Sequence, residues 1–194
     1  MIDIYYQKKK NMWYGVALKE NQVLATHYSF EEPDNMALIK KLPKNNSFRF
    51  VKVTNPLSED VLSALNEIFN GEDNESYGFK MNITDLSSYL QKVLNCTRLI
   101  PVGYVTSYGA IAKVVGGIPR SVGHAEANNT LPLIIPCHRV VCSDLSIGGY
   151  GQGEQTKISI LQREERGYEK SIKRKVNGKE LIMYPTKWIK GKRR

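Results

Sequence analysis

Between Ser107 and Ala127, two short apolar-striped segments flank Gly116-Gly117-Ile118, and this spacing constrains the fold more than any other feature of the chain. Ser107 predicts the N-cap of the first segment, whose Tyr108, Ile111, Ala112 and Val115 share one stripe. Pro119 suits the first helical position of the second, which runs to about Ala127. Two helices joined by a three-residue, glycine-bearing turn cross at a steep angle, the helix-turn-helix pattern. Many helical hairpins share that pattern and bind nothing, so it sets a shape and leaves function open.

The rest of the 194 residues divides around this unit into an α+β chain. Residues 1–83 read as a small N-terminal α/β-type domain with an antiparallel sheet. Within it, 13–18 and 22–28 form a hairpin around Lys19-Glu20-Asn21, and 47–53 alternates as a strand. Ser58 caps a helix carrying Val61, Leu62, Leu65, Ile68 and Phe69, which Gly71 ends. Glu72-Asp73-Asn74-Glu75 is a polar loop, and Tyr77, Phe79, Met81 and Ile83 alternate after it. Nothing in this part carries chemistry. Residues 84–168 read as a mainly helical domain holding the helix-turn-helix, opened by a helix behind a Thr84 cap. It closes with a helix bearing Ile158 and Leu161 that stops at Gly167. Residues 169–194 are a basic extension in which Asn177-Gly178 signals a β-hairpin.

Charge separates the same parts. Residues 1–167 hold 18 Lys and Arg against 17 Asp and Glu, whereas 168–194 hold 10 against 2, so the tail supplies +8 of the net +9. Such blocks suit a polyanion, nucleic acid above all, although a solvated tail has the same composition. No run approaches the ~18 apolar residues of a membrane span, and Met1-Ile2-Asp3-Ile4 opens no secretory signal. Cys96, Cys137 and Cys142 are odd in number and scattered, which points to a reducing, cytoplasmic setting (nuclear in a eukaryote).

Leu133-Ile134-Ile135-Pro136-Cys137-His138-Arg139-Val140 is the one stretch that could react. A thiolate is the nucleophile, and a neighbouring imidazole is a base able to make it. Adjacency in sequence alone does not make a dyad, because a buried inert cysteine beside an incidental histidine reads the same way. The flexible Gly148-Gly149-Tyr150-Gly151-Gln152-Gly153 follows as a loop.

Three motifs in order decide between those readings. Pro101-Val102-Gly103-Tyr104-Val105-Thr106-Ser107-Tyr108-Gly109, Pro119-Arg120-Ser121-Val122-Gly123 and Ile135-Pro136-Cys137-His138-Arg139-Val140 resemble the O6-alkylguanine-DNA alkyltransferase family over roughly residues 85–167. The resemblance implies a repair protein that transfers an alkyl group from O6 of guanine in double-stranded DNA to its own Cys137, once and irreversibly. It implies that His138 takes the thiol proton through water and that Glu164 orients the imidazole. Tyr108 would donate to the guanine ring, and Arg120 would fill the place of the flipped nucleotide. Asn129 would tie the turn before the cysteine. Tyr150 and Gly151 would close over the base, carbonyls at Cys137 and Val140 would read its amine, and Ser107 and Gly123 would face DNA. No cofactor and no metal are expected, since residues 1–83 hold only His27 and no cysteine, and the protein would act as a monomer.

The chain departs from the family at His124, Glu126 and Ala127, where a glycine, an apolar or small residue and a base are usual, and at Gly151-Gln152-Gly153. Glu126 would put negative charge on or beside the DNA face. Cys142 reads as buried core. Related lesion sensors lack the acceptor cysteine, an unrelated regulator would leave Pro136-Cys137-His138-Arg139 unexplained, and a cysteine hydrolase would need an oxyanion loop that is not evident. An ordinary Cys, at pKa ~8.5, is about 3% ionised at pH 7, so ionisation alone would gain at most ~30-fold.

Overall fold

A computed structural model describes residues 1–33, 36–44, 46–73 and 78–190. Asn74, Glu75 and Tyr77 of the expected loop and strand, and the tail from Gly191, lie outside the described residues. The chain is mixed α/β, with two four-stranded sheets.

The first sheet has the order β3-β2-β1-β4, with β1 Ile2–Lys9, β2 Met12–Lys19, β3 Gln22–Ser29 and β4 Phe48–Phe50. The expected hairpin is β2–β3, and Glu20 and Asn21 take the positive φ its turn requires. Two expectations are corrected. The strand at 47–53 shrinks to three exposed residues, and it runs parallel to β1, so the sheet is not purely antiparallel. Among the described residues of the alternating run around residue 81, only Met81 pairs, as a single bridge to Val23. A short α1 (Met36–Ile39) follows β3 and buries Leu38.

Helix α2 (Pro56–Phe69) lays Val61, Leu62, Leu65 and Ile68 against the sheet. Asn55, not Ser58, caps it: Asn55 Oδ1 accepts from Ser58 N at 2.8 Å, and Ser58 Oγ accepts from Asn55 N at 2.8 Å. Reciprocal bonding moved the cap three residues upstream of the expected one. At α3 (Ser88–Thr97) the cap moves three residues the other way, downstream to Ser87, while Thr84 bonds to Asn82 instead.

Beyond α3 the chain forms β5 (Tyr104–Ser107), α4 (Tyr108–Val115), α5 (Pro119–Ala127) and, later, β6 (Val140–Val141) and α6 (Glu154–Arg163). Ser107 Oγ accepts from Ala110 N at 3.1 Å, as an N-cap does, and Gly116 and Gly117 both take positive φ in the turn. Helix α6 ends at Arg163 with Glu164 as its C-cap, three residues short of the expected stop.

The expected mainly helical part contains a second sheet of order β6-β5-β8-β7, with β7 Ile172–Val176 and β8 Lys179–Pro185. The Asn177-Gly178 hairpin is present, with both residues at positive φ. Its strand β8 pairs antiparallel with β5, and Leu181 and Met183 are fully buried with Ile111, Val114 and Val122. The pairing partners are some eighty residues apart, so no local pattern announces this sheet.

The core of the first sheet continues through Leu131, Leu133, Ile134, Ile135 and Ile160. Edge strand β3 holds that segment directly. Thr26 N donates to Thr130 O, and Thr26 Oγ1 to Pro132 O, both at 2.9 Å. The N-terminal sheet therefore positions the stretch that leads into the cysteine.

Candidate active site

Asn129 ties down the approach to Cys137. Its Nδ2 donates to Ile135 O and its Oδ1 accepts from Leu131 N, both at 2.9 Å, and Leu133 takes a φ of 73° inside the loop. Cys137–Arg139 then form one 3-10 turn that feeds β6, which pairs parallel with β5 at Thr106↔Val140 and Ser107↔Val141. This is how Cys137 comes beside the start of α4.

Cys137 is 8% exposed and lies on the wall of a cavity of about 960 Å³. Tyr108, Arg120, Gly123, Asn129, Tyr150 and Gly151 line the same cavity, so most of the residues expected from sequence are brought together. Arg120 is exposed, in the first turn of α5. Tyr108 Oη donates to Gly149 O at 3.5 Å, and burial holds its phenol well above the ordinary range. Gly148 has a φ of 68°, and a Cβ there would stand 3.2 Å from Cys142 Sγ and 3.3 Å from Tyr108. Only glycine closes that loop against the cavity. At Gly123 a Cβ would meet only Tyr108, at 3.9 Å, so nothing within the chain demands glycine there. Ser107 spends its hydroxyl on the cap of α4.

Behind Cys137 sits a fully buried ionic cluster. His138 Nε2 bonds to Glu164 Oε1 at 2.9 Å; Arg139 donates through Nη2 to Glu164 Oε1 at 2.8 Å and through Nε to Oε2 at 2.9 Å. Arg139 Nη1 also donates to Ile100 O at 2.6 Å. Burial alone would raise the Glu164 carboxyl, but the facing His138 ring, the Arg139 charge and the hydrogen bonds from both reverse that and hold it at about 2. A solvated-helix reading of Glu164, suggested by its charged neighbours in sequence, is thereby excluded. For His138, burial outweighs the facing carboxylate and pushes its pKa down, so the ring is neutral at pH 7. Its Nε2 carries the hydrogen toward Glu164, leaving Nδ1 as the acceptor. Nδ1 is buried and bonds to no group among the described residues.

Burial pushes the Cys137 thiol up to about 11, with the Glu126 charge adding to the rise. The Asn129 side chain, Lys157 and Lys41 act the other way. At pH 7 such a thiol is ionised to only about one part in 10⁴. Deprotonation is therefore a far larger share of any reaction than an ordinary cysteine would suggest.

Four residues at the site were not singled out from sequence. Lys157, fully buried on α6, donates from Nζ to Val140 O at 2.6 Å and lies 5.8 Å from the ring centroids of both Tyr108 and Tyr150. Burial lowers its pKa to about 8. Lys41 lines the cavity from the N-terminal half, with Nζ donating to Thr26 O at 2.9 Å. The Tyr28 and Tyr150 hydroxyls lie 2.5 Å apart. Residues 1–83 thus do reach the reactive centre, against expectation. Arg139, adjacent to the expected dyad, completes the set. No sequence signal distinguishes Lys41 or Lys157 from surface lysines.

Two further expectations are corrected. Cys142 is half-buried on the cavity wall, not core. Glu126 does not project toward solvent: it is 7% exposed, lines the cavity, and its Oε1 accepts from Thr97 Oγ1 at 2.5 Å. Its Oε2 is buried without a hydrogen-bond partner among the described residues, and burial raises the carboxyl to about 7. Among the described residues no group of three or more His, Cys, Asp and Glu is placed to hold a metal ion, and no helix is long and apolar enough to cross a membrane.

Comparison with known proteins agrees with this arrangement. The family model for the 6-O-methylguanine DNA methyltransferase DNA-binding domain matches residues 88–166. The methylated-DNA–protein-cysteine methyltransferase of Methanocaldococcus vulcanius is 48% identical over 81 residues, 42% of this chain and 50% of that protein. By that match the chain spans about half the length of the relative. The protein of the same name from Thermococcus kodakarensis is 30% identical over 156 residues, covering 79% of this chain and 88% of its own. The crystal structure of O6-methylguanine-DNA methyltransferase from the hyperthermophilic archaeon Pyrococcus kodakaraensis superposes with a TM-score of 0.67 at 25% identity, covering 84% of this chain and 99% of that one. Motif order, cavity, ionic cluster and relatives agree, and the chain belongs to the methylated-DNA–protein-cysteine methyltransferase family.

Proposed function

We propose that this protein repairs double-stranded DNA by moving an alkyl group from O6 of guanine to Cys137 in a single, irreversible turnover. The observation that carries the proposal is a thiol on a cavity wall beside a neutral histidine whose far nitrogen is anchored to a buried Glu164–Arg139 pair. His138 Nδ1 takes the Cys137 proton through a water, and Glu164 steadies the ring as it becomes cationic. Sulfur then attacks the alkyl carbon in line, the C–O6 bond breaks, and its electron pair leaves on guanine. Tyr108 donates to the guanine ring, so the base departs neutral. The product is a thioether, which no group in the site reverses.

O6 of a paired guanine lies inside the duplex, so the nucleotide must be flipped out, at a cost of a few kcal/mol. The helix-turn-helix formed by α4 and α5 presents the cavity mouth to DNA, and Arg120 at the start of α5 takes the vacated place in the stack. Gly123 lines the cavity on that side, and the buried Ser107 acts through the cap that holds α4. Tyr150 and Gly151 close over the base, and the Cys137 and Val140 carbonyls read its amine, Val140 O doing so while it also accepts from Lys157. The protein works as a monomer, without cofactor, in the reducing cytoplasm that a free thiol nucleophile needs.

Intact mass and peptide mapping after mixing with duplex DNA containing O6-methylguanine test the proposal. The expected result is one added methylene on Cys137, absent in Cys137→Ala, which still binds the alkylated duplex. Tight binding with no mass gain would instead make the protein a lesion sensor.

A further inference from the structure

We infer that the C-terminal hairpin is a wing, a second DNA-binding element that grips the phosphate backbone beside the duplex held by α4 and α5. The inference rests on the helix-turn-helix reading above and extends it to residues that the family resemblance, over residues 85–167, does not cover.

The hairpin is fixed relative to α4. Strand β8 pairs with β5, whose last residue, Ser107, is the N-cap of α4. Thr106 Oγ1 donates to Ile182 O at 2.6 Å, and Arg174 Nη1 donates to Leu99 O at 3.1 Å. On the inner face, Leu181 and Met183 are fully buried in the cluster that also holds Ile111 and Val122 of α4 and α5. A hairpin seated on the shared core of two helices cannot swing free of them.

The hairpin also reaches past the body. Val105 pairs with Tyr184, so β5 runs out opposite Ile182; Leu181 is still buried in the core, and Glu180 and Lys179 continue past it to the turn. At about 3.3 Å per residue those two residues carry the turn roughly 7 Å further. The outer part of the hairpin is basic: Lys173, Arg174, Lys175 and Lys179 are exposed, against the single acid Glu180, and Lys175 and Lys179 are the ones at the tip. Glu180 pairs with Lys173 at 2.8 Å, and Arg174 is spent on Leu99 O. Lys175 and Lys179 have no acidic partner among the described residues. Lys175, opposite Glu180, and Lys179, opposite Val176, lie on the two faces of the hairpin tip, and Asn177 and Gly178 between them form the tight turn that keeps the tip narrow. Two unneutralised ammoniums at the tip of a hairpin anchored beside a helix-turn-helix are complementary in charge to a phosphate backbone. The helix α5 itself supplies little charge, since Glu126 is buried and Ala127 carries none.

Lysines on an edge strand also deter pairing with another sheet, and β7 is an edge. That role predicts self-association when they are removed, and no change in DNA affinity. The double variant Lys175→Gln/Lys179→Gln separates the two, with Lys10→Gln/Lys52→Gln as a charge-matched control. Duplex affinity is measured between 50 and 200 mM salt by anisotropy, alongside sedimentation and transfer from free O6-benzylguanine. A wing predicts a slope of log K against log salt shallower by about 0.9 per lost phosphate contact, close to two for the pair. It also predicts an unchanged slope in the control and unchanged transfer from the free base. An unchanged slope in the double variant, or an equal drop in the control, overturns the wing while leaving the repair reading intact. Failure of the unaltered protein to bind duplex DNA overturns both.

Discussion

Replacing Glu126 by methionine removes a buried carboxyl and leaves its neighbour satisfied, because the single Thr97 Oγ1 hydrogen can go to Val93 O, 3.0 Å away, instead. The carboxyl titrates at about 7 in the folded protein against an ordinary 4.5. The folded state holds the proton more tightly than the unfolded state does, so stability falls as pH rises from 4.5 through 7 and the loss is complete above that. By linkage the cost is about 1 kcal/mol at pH 5 and about 3 kcal/mol at pH 8. Glu126→Met escapes this cost. Whatever the methionine gains or loses in packing is the same at both pH values, so the difference isolates the titration. Lys157 and Lys41, at about 8, titrate in both proteins and cancel to first order. Urea unfolding of both proteins at pH 5 and pH 8 should therefore show the variant gaining about 2 kcal/mol relative to the parent between the two conditions. With an m-value of roughly 2 kcal/mol/M, that is about 1 M in relative midpoint. The same substitution should speed labelling of Cys137 by iodoacetamide at pH 8, since the Glu126 charge adds to the rise of the thiol. A stability difference between the two proteins that is equal at pH 5 and pH 8 would refute the buried, protonated carboxyl.

Glu164→Gln leaves Arg139 facing a neutral amide in a site with no solvent, and should cost about 3–5 kcal/mol, roughly 6–20 °C in melting temperature, by calorimetry. Because Glu164 is held at about 2, the stability it contributes is complete above pH 4.5 and disappears as pH falls toward 2, so the parent and variant melting temperatures should converge in acid. Arg120→Ala should slow repair of O6-methylguanine in duplex DNA at least tenfold more than transfer from free O6-benzylguanine, which needs no flipping; equal losses in single-turnover kinetics would make Arg120 a support of the fold.

Local signals were legible from sequence alone. The Ser107 cap, the Gly116-Gly117 turn, Pro119 and the Asn177-Gly178 hairpin each act over a few residues, and each formed where its chemistry placed it. The caps at Ser58 and Thr84 were misplaced because Asn55 and Ser87 offered competing acceptors three residues away. Three ordered motifs were enough to bring Cys137, Tyr108, Arg120 and Tyr150 to one cavity.

Tertiary structure decided the electrostatics. His138 meets Glu164 across 26 positions, Thr97 meets Glu126 across 29, and Tyr28 meets Tyr150 across 122. Whether a charge is paired, neutralised or solvated depends on what packs over it, and sequence spacing carries no record of that. The same holds for the second sheet, since β5 pairs with β8 across the intervening α4, α5 and α6. Sequence determined that this chain carries Cys137 within the family's ordered motifs and the elements that surround it. Burial by distant segments set that thiol at about 11, His138 neutral and Glu126 near neutrality, because ionisation in a protein is governed by desolvation and by partners the chain reaches only when it is folded.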